Sequence, residues 1–96
     1  MSANKHKVQP IEIDEDFETI LICAERYAIG RRSYMPRLVI GYITPLLPSL
    51  SIRALAVLEK DISSADGYGD EKIDRPDWMK FLTAVRAELS RKRAEL

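Results

Sequence analysis

Residues that carry chemistry are scarce in this chain. Its 96 residues include one cysteine and one histidine. Cys23 has no second thiol to pair with, which excludes an internal disulfide and agrees with a reducing compartment. His6 stands alone near the N-terminus, with nothing beside it in sequence to orient the ring for catalysis or metal binding. No apolar run reaches the roughly 18 residues of a membrane span. The longest candidate, Leu38 to Leu50, is broken by Pro45 and Pro48. Met1 to Lys7 lacks the apolar core of a signal peptide, so the expected location is the cytoplasm. The phosphate-binding glycine loops, CxxC pairs and HExxH are all missing, as are internal repeats and low-complexity tracts.

Charge of one sign is missing too. Fifteen basic and fifteen acidic side chains cancel, which excludes a uniformly basic nucleic-acid coat and an acidic DNA mimic. Wholesale disorder is disfavoured by a hydrophobic share of 46%. What remains is one domain with a single core.

Periodicity predicts an all-α fold, a compact bundle of about four helices at 14–96 behind a flexible N-terminal arm at 1–13. Ile11 and Ile13 are the positions that could pin the arm to the body. Asp14-Glu15-Asp16 starts the first helix. Its expected apolar seam is Phe17, Ile20, Leu21, Ala24, Tyr27 and Ala28, with Ile22 and Ile29 on a second line. Apolar residues on two faces suggest that this helix is central, which makes Cys23 a buried, inert thiol. Gly30 suits the position past its C-terminus.

Ser33 is the expected cap of the second helix, with Pro36 in its first turn. Its stripe is Met35, Leu38, Val39, Tyr42, Ile43 and Leu46, and Pro45 ends it near Thr44. After the stiff corner Pro45-Leu46-Leu47-Pro48, Ser51 caps the third helix, with Leu50 and Leu55 as a hydrophobic staple. Ile52, Leu55, Ala56, Leu58 and Ile62 supply its buried side. The fourth helix begins at Asp74, with Pro76 in its first turn and Ile73 and Trp78 as a second staple. Trp78, Phe81, Leu82, Val85 and Leu89 form its apolar face. Ser90 to Leu96 prolongs it as an exposed tail.

Although the charges cancel, they are segregated. Six acids and no base lie between Glu12 and Glu25. Arg26, Arg31, Arg32, Arg37 and Arg53 then follow without an acid. Seven acids oppose three bases from Glu59 to Asp77, and five bases oppose two acids from Trp78 onward. Two readings are open. The arginines could face the acidic first helix and loop, or they could form a partner surface at Arg26, Tyr27, Arg31, Arg32, Tyr34 and Arg37. Mixed Arg and aromatic side chains are what binding hot spots are enriched in. Tyr68, between two loop glycines, is expected to be a mobile aromatic able to join that surface.

Other chemistry finds weaker footing. Asp66, Asp70, Glu71, Asp74 and Asp77 make an acidic loop, but the calcium-loop spacing and its twelfth-position Glu are absent. Helix capping accounts for Asp74 and Asp77, so no metal, cofactor or catalytic residue is assigned and the chain is read as a non-enzyme. A helix-turn-helix needs polar side chains on its recognition helix. Ile52 to Ile62 offers only Arg53 and Lys60.

The run Glu18 to Pro36, with its Cys-Ala-x-Arg-Tyr-Ala-x-Gly-Arg-Arg-x-Tyr core, and the later Tyr68-Gly69-Asp70-Glu71 to Trp78-Met79 resemble a family of short, uncharacterised proteins. These are carried by phages and prophages of Gram-positive bacteria. The likeness spans about residues 17–89; Glu25 stands where that family pattern implies a small apolar residue. No catalytic residue transfers from it. What the resemblance implies is context: small accessory phage genes often encode inhibitors of host defence, including anti-CRISPR proteins that bind a CRISPR effector nuclease complex. The leading expectation is therefore a phage accessory protein that binds and inhibits a host defence complex. Two alternatives stay open. One is a small nucleic-acid-binding regulator using the Arg26–Arg37 segment with Arg91, Lys92 and Arg93. The other is a homo-oligomeric phage assembly factor, with a homodimer as its simplest form.

Overall fold

A computed structural model describes residues 13–96. It contains helices α1 (Glu15–Ala28), α2 (Tyr34–Ile43), α3 (Ile52–Ser63) and α4 (Asp74–Ala94), with a 3-10 turn at Thr44–Ser49 between α2 and α3. No strand occurs among the described residues, and none of their helices is long and apolar enough to cross a membrane. The expected arm lies outside the described residues except for Ile13, which is half-buried against the core. Ile11 and His6 fall outside them as well.

The element boundaries follow from local chemistry. Asp14 accepts a hydrogen bond from the Phe17 amide at 2.8 Å and satisfies one orphan donor of α1. Ser51 does the same for α3, accepting from Ala54. Pro45 and Pro48 tighten the chain into the 3-10 turn after Ile43, and the leucines between them point inward. Leu46, Leu47, Leu50 and Leu55 are all buried, as the corner and staple predict.

α3 and α4 pack most extensively, and α4 also covers α2 and the 3-10 turn. Trp78, Phe81, Leu82, Val85 and Leu89 line the inner side of α4 against Leu55, Leu58 and Ile62 of the common core. Each such side chain contributes roughly 1.5–3 kcal/mol by leaving water. Trp78 and Phe81 add an edge-to-face contact at 6.0 Å. Ile73 is exposed, so the staple expected between it and Trp78 does not form.

α1 departs most from its predicted role. It packs on α2 and α3, just as α4 does from the other side, so the four helices close a ring α1–α2–α4–α3 in which none is central. Its buried residues are Glu18, Leu21, Ile22, Glu25 and Ala28. The expected seam is therefore rotated: Ile20 and Tyr27 face outward, Phe17 and Ala24 lie at the edges, and Cys23 is exposed rather than buried. On α2, Pro36, Val39 and Ile43 are buried, while Leu38 and Tyr42 of the expected stripe are outside.

The candidate site at the α1–α2 turn

The turn joining α1 to α2 is held by a residue forty-one positions away. Gly30 ends α1 with a positive φ of 86°, the conformation that glycine adopts without a Cβ penalty. Ser33 also has positive φ, at 43°, and its hydroxyl makes no capping hydrogen bond, contrary to its expected role. Instead its backbone N–H donates to the Asp74 carboxylate at 2.8 Å. The second Asp74 oxygen accepts from the Asp70 amide, also at 2.8 Å. Asp74 is thus fully buried as a tie between two loops and does not cap its own helix. The Asp70 carboxylate accepts from the Lys72 and Ile73 amides of the turn before α4, and α4 itself has no side-chain cap.

Gly69 completes the clasp. Its φ is 90°, and a Cβ there would meet the Arg31 carbonyl and the Asp74 carboxylate. Only glycine lets the loop approach the turn this closely. Tyr68 beside it is 5% exposed, donates its hydroxyl to the Ile62 carbonyl at 2.7 Å, and lies under the Arg75 guanidinium. The mobile, partner-facing role expected for Tyr68 is corrected to that of an internal post under the loop.

The remaining candidates separate by their partners. Arg26 makes a forked contact to Asp61, at 2.7 and 3.3 Å. Arg37 lies 3.6 Å from Asp77, and Arg53 lies 3.1 Å from Glu15 and 3.6 Å from Glu18. For these three the internal-complementarity reading holds, since each tethers one helix to another. Arg31 instead donates to the Tyr27 carbonyl and lies over the Tyr27 ring, 4.4 Å from its centroid, in a cation–π contact. Arg32 is exposed, and neither it nor Arg31 forms an ion pair among the described residues. Tyr34 is 71% exposed. The turn therefore brings together Tyr27, Arg31, Arg32 and Tyr34, and leaves Arg26, Arg37 and Tyr68 engaged elsewhere.

Two shallow grooves flank α2. One, of about 430 Å³, lies against α4 between Arg37, Gly41, Asp77 and Lys80. The other, of about 410 Å³, lies against α1 and is lined by Ala24, Leu38, Val39, Tyr42 and Ile43. Among the described residues no group of His, Cys, Asp or Glu is arranged to hold a metal ion. Asp70 and Asp74 of the acidic loop are already engaged by backbone amides.

Two buried carboxyls on α1 escaped sequence reasoning. Glu18 accepts from the Ser51 amide at 2.7 Å and its hydroxyl at 3.0 Å, which places a carboxylate at the N-terminal end of the α3 dipole. Glu25 is fully buried, and neither of its oxygens meets a donor among the described residues. Burial pushes its pKa up to about 9, and contact with the Asp61 carboxylate adds to the shift; the nearby Arg26 opposes it only partly. At neutral pH Glu25 therefore keeps its proton, which turns the carboxyl–carboxylate contact from repulsion into a hydrogen bond. Their i, i+7 spacing puts them on one face of α1, but nothing in the sequence marks that face as the inner one.

The fold and the turn define a small all-α bundle that presents a clasped Arg/Tyr corner beside an apolar face that no described residue covers. No family model, curated protein or solved structure matches the chain.

Proposed function

We propose that this chain is a non-enzymatic phage accessory protein that binds and inhibits a host defence complex, with a CRISPR effector nuclease as the target class. The resemblance of its sequence core to phage and prophage proteins supplies the context. The observation that carries the reading is the clasped turn. Arg32, Tyr34 and the Tyr27–Arg31 stack are outward-facing on a backbone fixed by Asp74 and Gly69. Aromatic and arginine anchors on an already ordered loop lose little entropy on docking. The regulator reading has less support, because Arg26 and Arg37 of its segment and Arg91 of its tail already hold carboxylates.

The test is affinity capture from host lysate with and without nuclease treatment, using the wild type and Arg32→Glu. A nuclease-resistant effector complex retained by the wild type and lost by the variant, with an unchanged thermal transition, is the expected result. Recovery of nucleic acid alone, abolished by nuclease, would replace this function with the regulator. Equal capture by the variant would remove the turn from the mechanism.

A further inference from the structure

The outward side of α1 and α2 carries an apolar patch that nothing among the described residues covers. On α1, Asp16, Ile20, Cys23 and Tyr27 follow one another at turn spacing, on the side opposite the buried Glu18, Leu21, Ile22 and Glu25. Ile20 is 61% exposed. On α2, Tyr34, Leu38 and Tyr42 recur one turn apart, and all three are exposed. A helix apolar on two faces is normally covered on both, yet the described residues cover only one face of α1.

We propose that this face docks on the same face of a second copy of the chain, antiparallel, about a two-fold axis passing beside Ala24 and Leu38. A two-fold interface requires a patch complementary to itself under reversal, and both stripes have that property. Tyr34-Leu38-Tyr42 reads the same in either direction about Leu38. The α1 stripe is centred between Cys23 and Ala24, and reversal sets Ile20 against Tyr27 and Asp16 against Arg31. Its two ends carry opposite charge, and neither charge forms an ion pair among the described residues. The Arg31 guanidinium lies on the Tyr27 ring, which holds the positive charge at the end of the stripe.

The two centres lie on one groove. Ala24 and Leu38 line the same groove between the helices, so one axis serves both stripes. Cys23 and Ala24 at the crossing are small, which allows the two α1 helices to approach closely. Docking would give α1 the central place that its two apolar faces predict. An unrelated partner would require neither the palindromic Tyr-Leu-Tyr spacing nor the opposed charges.

A dimer of this kind covers Tyr27, Arg31 and Tyr34 and leaves Arg32 as the uncovered anchor of the proposed function, so the two readings share residues. The test here uses the purified chain alone and is read separately from partner capture. Sedimentation equilibrium over a wide concentration range should approach twice the 11.0 kDa monomer mass. Ile20→Glu with Leu38→Glu should stay monomeric while keeping the helical circular dichroism spectrum. Asp16→Arg and Arg31→Asp should each weaken association at least several-fold, and the two together should restore it. A short bismaleimide should join Cys23 to Cys23 in the wild type and lose that yield in the Ile20→Glu, Leu38→Glu variant. Monomer at every concentration would overturn the proposal. So would a dimer that survives Ile20→Glu with Leu38→Glu, or charge variants whose combination fails to restore association.

Discussion

The α3–α4 half and the α1–α2 half of this bundle are built on opposite terms. In the first, every large apolar residue of α4's expected face is buried. In the second, Ile20, Tyr27, Leu38 and Tyr42 face solvent while two glutamates, Glu18 and Glu25, lie inside. The same chain thus keeps the apolar face of α4 inside in one half and divides its apolar residues between core and surface in the other. Glu18 and Glu25 repeat the contrast on a smaller scale. One is fully satisfied by the start of α3, whereas the other must hold a proton to be tolerated.

The sharpest way to break the comparison is in the core half. Trp78→Ala removes the largest fully buried side chain and should cost about 3–5 kcal/mol, measured by chemical denaturation. Glu25→Gln works in the opposite direction. The native state holds the Glu25 proton up to a pKa of about 9, against an ordinary 4.5, so between those values it binds more protons than the unfolded chain. The stability it contributes is fully present below the ordinary value and is lost as pH rises toward about 9. Glu25→Gln should therefore stabilise at neutral pH by roughly 2–3 kcal/mol, and flatten the decline in melting temperature across that window.

Asp74→Ala strands the Ser33 and Asp70 amides inside the clasp and should cost about 2 kcal/mol. Amide hydrogen exchange at Ser33 should rise with it. Ile20→Ser, measured in dilute solution, should change stability by less than about 0.5 kcal/mol. A large loss there would mean that the outward face is covered even within one chain.

The core half was legible because its signals agree. Ser51, the Leu50–Leu55 staple and the Trp78 to Leu89 stripe all point to the same packing. In α1 the periodicity offered two overlapping faces, and apolarity chose the wrong one. No hydropathy pattern marks Glu18 or Glu25 as interior, since their acceptability depends on Ser51 and Asp61 contributed by another helix. The arginines posed a similar problem: which of them meets a carboxylate is decided by α3 and α4, not by neighbours in sequence. Tyr68 looked mobile for its flanking glycines, but Gly69 is there for close approach, not for freedom. Asp74 looked like an ordinary cap because the Ser33 amide it holds is forty-one residues away.

That last separation has a consequence for biosynthesis. The backbone of the Arg/Tyr corner is secured only when the first turn of α4 is in place, so a nascent chain that has emerged as far as α3 lacks the clasp. Domains fold as units during synthesis, from the N-terminus onward. In this chain the early segment must wait for the late one. A ribosome-stalled or prematurely terminated product ending before Asp74 would carry all the arginines and tyrosines of the corner, but not the tie that fixes their arrangement.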